Sequence, residues 1–315
     1  MYRIGVDLGG TNISVGVVDA GYQIIGRGME KTRAGRPAAD IFADIKKAAD
    51  QAVADAGIAW DEIESVGIGT PGSVNKQNGH IEFANNLAFR QVPAKEMLEE
   101  LIGKPVYLDN DANCAALGEA LAGSGKGVGS FVAITLGTGV GSGIVIDGKI
   151  VNGVNDAAGE MGHMVISMDG LPCNCGRCGC WERYASATAL IEQTKTAMQA
   201  HPDSKMWEVA GGSLEAVNGL TSFEAMRAGD PAAQVVVDRY MHYLAVGIGN
   251  IINALQPAII CVGGGIGHER ENLLAPLREM VIQERYSIYA AVQTELVSAK
   301  LGNDAGVVGS SALTR

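Results

Sequence analysis

Two stretches far apart in this chain carry nearly the same glycine pattern. Residues 7–19, "DLGGTNISVGVVD", can be laid over residues 135–147, "TLGTGVGSGIVID", with five of the thirteen positions identical. Each copy reads as strand, glycine turn and strand, since apolar residues flank glycines that permit a tight backbone corner. An internal copy at this spacing predicts two related α/β lobes, each opening with a glycine-cornered hairpin, facing each other across a cleft. The neighbouring patterns agree. "RIGVDL" and "ISVGVVD" pair as a hairpin, "AADIFADIKKAADQAVADAG" has helical periodicity, and "IESVGIG" returns as a strand. Residues 200–230 are more polar and irregular and read as loop or short helices without a chemical motif. After them come a helix, "PAAQVVVDRYMHYLAVGIGNIINALQ", a buried strand entering a glycine turn, "PAIICVGGGI", and a short closing helix, "DAGVVGSSALTR".

A chain of 315 residues with 47% hydrophobic content can bury a large core and divide into two domains. The formal charge of −11, with lysines and arginines scattered, leaves no electrostatic footprint for nucleic acid. The start "MYRIGVDLGG" lacks the basic segment and long apolar stretch of a secretory signal. No apolar run approaches the roughly 18 residues of a membrane span. The expectation is a cytoplasmic protein with neither nucleic acid nor membrane as partner, in a compartment where thiols stay reduced.

Glycine corners such as "DLGGT" and "LGTGVGSG" point successive amides inward, a geometry suited to phosphate oxygens. One such turn is ordinary hairpin structure; two matching turns and a third at "GGGIG" (263–267) point to a nucleotide. Asp7, at a strand end beside the first turn, could hold magnesium directly or through water. "GIGTPG" (67–72) fits a dinucleotide fingerprint literally, but proline stands in its fifth position and "SVNKQNGH" follows where a helix should start. "GSGKGV" lacks the spacing and the hydroxyl of a phosphate-binding P-loop.

"LDNDANCAALGEA" (108–120) runs from a strand into a helix. By spacing alone Asp111 reads first as the helix N-cap. Helix amides there would lower its pKa and keep it an ionised acceptor. Asn110 and Asn113 would suit hydroxyl recognition. "HMVISMDGLPCNCGRCGCWE" (163–182) packs four of the six cysteines into eight positions, ten residues after a histidine. In a reducing compartment such a cluster favours tetrahedral zinc over a disulfide, yet His163, Cys173, Cys175, Cys178 and Cys180 offer five donors for four places. Cys114 and Cys261 fall in a helix and a strand, where small buried thiols are ordinary.

In order, "DLGGTN", "GTPG", "LDNDANCAALGE", "LGTGVGSG", "GEMGH", "CNCGRCGCWE" and "VGGGI" resemble the signature segments of the ROK family of sugar kinases and repressors, from residue 4 to about 312. The closing "LGNDAGVVGSSAL" resembles that of the family's bacterial ATP-dependent glucokinases. The resemblance implies an α/β fold of the two-lobed actin-like (ribonuclease H-like) ATPase type with a duplicated βββαβα core. It implies a small lobe over residues 1–110, closed by a C-terminal helix at about 302–315, and a large lobe with a zinc-binding loop over 111–301. It also implies an ATP-dependent hexokinase acting on the 6-hydroxyl of glucose, with Asp111 as general base. Gly72, Asn86, Asn110, Asp111, Glu160, His163 and Glu182 would bind the sugar. Asp7, Gly9, Gly10, Thr11, Asn12, Thr138 and Gly139 would face the phosphates and magnesium, with Gly264 and Gly265 against adenosine. The family pattern leaves the sixth position of CxCGxxGC variable. That assigns His163, Cys173, Cys175 and Cys180 to a structural zinc and leaves Cys178 free; a four-cysteine site without His163 is the rival. Closed coordination would leave His163 a second ring nitrogen for a sugar hydroxyl. The family suggests homodimers or homotetramers.

Other readings stay within reach of these residues. N-acetylmannosamine, fructose and allose present hydroxyls that the same side chains could read. A non-kinase sugar-binding regulator is a second alternative. The family's repressors carry a helix-turn-helix domain ahead of the first hairpin, whereas six residues precede Asp7 here. An actin-like ATPase that phosphorylates no sugar would have no use for Asp111, Glu160 and Glu182 together.

Overall fold

The computed structural model describes residues 1–314. The chain divides into two units: unit 1 comprises Met1–Ala133, Gly143–Gly159 and the residues from Ala299 on, and unit 2 comprises Ile134–Ser142 and Glu160–Ser298.

Unit 1 begins with β1 (Tyr2–Leu8), β2 (Asn12–Val18) and β3 (Ile24–Lys31), an antiparallel meander. Helix α1 (Ala38–Ala56) follows, burying Ile41, Phe42, Ile45, Ala48, Ala49, Ala52 and Val53 at three- and four-residue spacing. Each large apolar side chain so covered contributes about 1.5–3 kcal/mol relative to exposure. The helix stops at Gly57, whose φ of 67° is left-handed. Then come β4 (Ile63–Thr70), a small inserted sheet of β5 (Ser73–Asn75), β6 (His80–Ala84) and β7 (Phe89–Val92), helix α2 (Ala94–Ile102), β8 (Val106–Asn110) and α3 (Asp111–Ala122). The main sheet has the order β3-β2-β1-β4-β8, with β1, β4 and β8 parallel.

The second five-stranded sheet repeats this plan. β9 (Ser130–Leu136), β10 (Val140–Ile146) and β11 (Lys149–Ile150) are followed by helices α4 (Glu182–Ala185), α5 (Ala187–Ala200), α6 (Lys205–Val209) and α7 (Thr221–Arg227). Next are α8 (Pro231–Leu255), β12 (Ile259–Gly263), α9 (Gly264–Gly267), α10 (Glu271–Glu284), β13 (Glu295–Ser298) and α11 (Asp304–Ser311). The order β11-β10-β9-β12-β13 places third, second, first, fourth and fifth strands as in the first sheet. Helices α8 and α10 take the places of α1 and α2, and α11 that of α3. The expected duplicated α/β core is present, and residues 200–230 are short helices. The segment "GGGIG" does not form a simple turn: from Gly264, at φ 79°, the chain forms the four-residue α9.

Helix α3, expected to open the large lobe, belongs to unit 1. The reason is its contact with α11. A Cβ on Gly309 would lie 1.7 Å from the Cys114 carbonyl oxygen, and one on Gly118 would lie 2.2 Å from that of Ala305. The two backbones touch with nothing between them. Helix α11 is approached as closely from the sheet, by Gly5 of β1 and Gly67 of β4. Glu119, buried in α3, accepts the Lys300 and Leu301 N–H groups and fastens the chain just before α11. No helix among the described residues is long and apolar enough to cross a membrane.

Candidate active site

In unit 1, the first glycine corner closes through the Gly9 N–H, which donates to the Asn12 carbonyl at 3.0 Å, while Thr32 Oγ1 donates to the Gly9 carbonyl at 2.6 Å. Asp7, Gly9, Gly10, Thr11 and Asn12 line one cavity of about 800 Å³ together with Arg27, Gln51, Asn303 and Asp304. Arg27 is held by Asp304 through two hydrogen bonds of 2.7 and 2.8 Å. Asn12 Oδ1 accepts from Lys31 Nζ at 2.7 Å. Asn86, exposed on the turn after β6, lies beside Gly10.

The β8–α3 junction corrects the local reading of "DNDAN". Asn110, not Asp111, is the cap: its side-chain oxygen accepts the Ala112 and Asn113 N–H groups at 2.8 and 3.3 Å. Its Nδ2 donates to the carbonyl of Gly72 at 3.1 Å, so Gly72, Asn110 and Asp111 form one corner. Asp111 is the first helical residue. Asn113 is buried and donates to Asp109 Oδ1 at 2.9 Å, which removes it from the hydroxyl-reading candidates.

The pKa of Asp111 also moves opposite to expectation. Burial pushes it up, and this outweighs the Ala112 N–H donated to its Oδ1 at 2.8 Å. Asp7 is pushed up to about 6, first by burial and then by the charge of Asp111. A buried carboxylate whose ionisation is made costlier by a second carboxylate suits a divalent cation, so the residues present fit magnesium at Asp7.

This has a stability consequence. A carboxyl whose folded pKa exceeds its unfolded value is most compatible with folding below the unfolded pKa, near 4, and its cost is complete above about pH 6. Asp7→Asn is therefore expected to raise metal-free stability at pH 8 by about 1–3 kcal/mol. The gain should vanish below about pH 4, as denaturant unfolding at several pH values would show.

In unit 2, the cysteine segment is a compact double turn. Cys173 N–H donates to the Arg177 carbonyl at 2.8 Å, and Val165 and Pro172 bridge to Cys180 and Cys178. Gly179, at φ 78°, presses on the Ser167 carbonyl where a Cβ would lie 1.7 Å away, so only glycine fits. His163 ends a 3-10 turn, Met161–His163, tied to β10 by the Met161 N–H donating to Ser142 Oγ at 3.1 Å. His163, Cys173, Cys175 and Cys180 bring one ligand atom each to within 4.8 Å of one another; Cys178 stays outside.

Within this cluster Cys173 Sγ lies 3.7 Å from His163 Nδ1, and Cys175 Sγ lies 3.6 Å from Cys180 Sγ. Tetrahedral zinc with Zn–S near 2.3 Å would space its ligands by roughly 3.5–3.8 Å, so this donor set fits zinc. Glu182 adjoins it, with Oε1 3.2 Å from Cys173 Sγ and 3.8 Å from His163 Nδ1. The second glycine corner reaches the same place, since a Cβ on Gly139 would lie 2.6 Å from Glu182 Oε2. Thr138 is exposed at that corner, and Glu160 is exposed just before the 3-10 turn. Gly264 and Gly265 are exposed at the start of α9, Gly264 directly against the backbone of Leu136.

Two features of these sites escaped sequence reasoning. Trp181, fully buried between Cys180 and Glu182, donates its indole N–H to the Tyr243 carbonyl of α8 at 2.7 Å and so anchors the segment. A lone tryptophan after the last cysteine was the available signal. Lys76 forms an ion pair with the buried Asp109; no local pattern links residues so far apart. A larger groove of about 1240 Å³ beside α5 and α8 contains none of the assigned residues.

The ROK family pattern matches residues 3–315. The glucokinase of Halalkalibacterium halodurans is 38% identical over 100% of this chain and 95% of its own length. That of Thermotoga maritima is 37% identical over 99% and 96%. The crystal structure of a ROK family glucokinase from Streptomyces griseus in complex with glucose and AMPPNP superposes with a TM-score of 0.84 at 35% identity, covering 100% of this chain and 99% of that one. With both sheets in the duplicated order and the cysteine segment folded around His163, the chain belongs to the ROK family.

Proposed function

We propose that this protein is an ATP-dependent glucose kinase that phosphorylates the 6-hydroxyl, with Asp111 as general base. The observation that carries the proposal is the buried Asp111 at the start of α3, close enough to Asp7 of the first glycine hairpin to raise its pKa. Full-length similarity to glucokinases, and to one that holds glucose and AMPPNP, supports the substrate pair.

Phosphoryl transfer needs alignment and charge neutralisation more than a reactive side chain. Asp111 would accept the hydroxyl proton as the sugar oxygen bonds to the γ-phosphorus and the bond to the ADP oxygen breaks. A pKa above the ordinary carboxylate range makes it a better base than an exposed aspartate. Gly72, Asn86, Asn110, Glu160, His163 and Glu182 would hold the sugar. The amides and side chains of Gly9, Gly10, Thr11, Asn12, Thr138 and Gly139 would meet the phosphates, with Gly264 and Gly265 against adenosine. Magnesium brought with ATP would neutralise phosphate charge, and Asp7 would hold it. Zinc, bound by His163 Nδ1, Cys173, Cys175 and Cys180, would have four protein ligands and no open position, which makes it structural. Nε2 of His163 would remain for a sugar hydroxyl. The same reading places the protein in the cytoplasm as a homodimer or homotetramer.

An assay coupled to ADP release, run over glucose, N-acetylmannosamine, fructose and allose, tests this. Glucose is expected to give the highest kcat/KM; ADP release independent of any added hexose would overturn the proposal.

A further inference from the structure

Lys76 lies on the turn between β5 and β6. Its ammonium meets the carboxylate of Asp109, a residue only 1% exposed, and donates to Asn152 Oδ1 at 2.9 Å. Its backbone N–H donates to Asp156 Oδ2 at 3.0 Å. Asp109 in turn accepts the Asn110 N–H at 2.7 Å and Asn113 Nδ2 at 2.9 Å, both on Oδ1. Three segments therefore meet at one side chain: the turn after β5, the β8–α3 junction that carries Asp111, and residues 151–159, whose chain continues directly into Glu160.

The electrostatics point the same way. At the buried Cys114 thiol the charges of Asp109, Asp111 and Asp7 act in one sense, and that of Lys76 acts in the other. A carboxylate as buried as Asp109 is costly to leave without a cationic partner, and Lys76 is that partner. As an acceptor it fixes both the N–H of the capping residue and the Asn113 amide. Any shift of Lys76 would thus reach the first turn of α3 through Asp109, and the 151–159 segment through Asn152.

We propose that Lys76 is a positioning residue for phosphoryl transfer: by neutralising Asp109 it holds the β8–α3 junction, and with it Asp111, and couples that junction to residues 151–159. This rests on the kinase reading above. A purely structural ion pair would account for a loss of stability but not for a loss of kcat at a nearly unchanged KM for ATP.

The test compares Lys76→Met, Lys76→Arg and the double variant Lys76→Met/Asp109→Asn. Lys76→Met is expected to lower kcat with glucose by about 100-fold, the scale of a small misplacement of a reacting group. Its KM for ATP should stay within about threefold of wild type, and Lys76→Arg should recover most of the loss. The double variant removes the unpaired carboxylate and should regain thermal stability without regaining kcat, because the tie to Asn152 is still missing. Return of kcat together with stability would reduce the pair to a structural one and overturn the proposal. Hydrogen exchange gives a readout independent of activity. In the double variant amide exchange should quicken together at residues 110–113 and 151–158, whereas a change confined to the turn at 75–80 would sink the coupling. If wild type shows no glucose-dependent turnover the kinase reading fails, and exchange alone decides the coupling.

Discussion

Asp111→Ala is expected to lower glucose-dependent turnover by about three orders of magnitude, within the range that a general base contributes. The KM for ATP should change little, because the side chain acts on the hydroxyl and not on the nucleotide. Asp111→Asn should lose nearly as much despite keeping the shape, since an amide cannot take the proton. The pH dependence follows from the direction of the pKa shift. Burial holds Asp111 above the ordinary carboxylate range, so kcat should fall as pH drops through that raised value, at a higher pH than for an exposed aspartate. Stability runs the other way. The ionised form is the one that burial penalises, so the cost of Asp111 to folding appears as pH rises past its unfolded value and is complete above its folded one. At pH 8 the inactive Asp111→Asn protein should therefore unfold at higher denaturant concentration than wild type. Turnover in the variants close to wild type would remove Asp111 from the mechanism.

Cys180→Ala is expected to abolish zinc binding and to lower kcat/KM for glucose by about 100-fold or more, on the scale of losses seen when a metal ligand's support is removed. Cys180 is fully buried and its Sγ lies 3.6 Å from that of Cys175, so its loss removes one of the four donors from the buried side of the cluster. The sugar should suffer with the metal because Glu182 touches Cys173 and lies beside His163 Nδ1. Cys178→Ser is expected to keep one zinc per chain, since Cys178 is exposed and outside the cluster of four ligands. Metal analysis of the purified proteins, read beside glucose kinetics, checks both. Loss of zinc in Cys178→Ser, with retention in His163→Ala, would establish the four-cysteine alternative.

What could be read from the chain was local. Glycine corners with alternating apolar flanks are set by backbone sterics within a dozen residues, and they led directly to two sheets of the same strand order. The spacing of the cysteine segment likewise reflects one tight turn. The readings that changed depended on contacts between distant residues. At "DNDAN" either Asn110 or Asp111 satisfies cap chemistry, and only the path of the chain into α3 decides for Asn110. The pKa of Asp111 was expected to fall because helix amides are visible in the sequence, whereas burial is not. Lys76 and Asp109 give no local sign of their pairing. The affiliation of α3 turns on a glycine in each of two helices that are separated by more than half of the chain.

The glycine contacts of α11 carry a consequence for how the protein is made. β1 and β4 are translated well before the helix whose backbone they are shaped to receive. Until α11 has cleared the exit tunnel, the strand that presents Asp7 and the helix that presents Asp111 lack the element packed against both. Unit 2 is complete by Ser298, before α11 is translated, so it can collapse first, against the usual N-to-C order of domain folding. A nascent chain would thus bring Asp7 and Asp111 into their packed arrangement only after α11 has emerged.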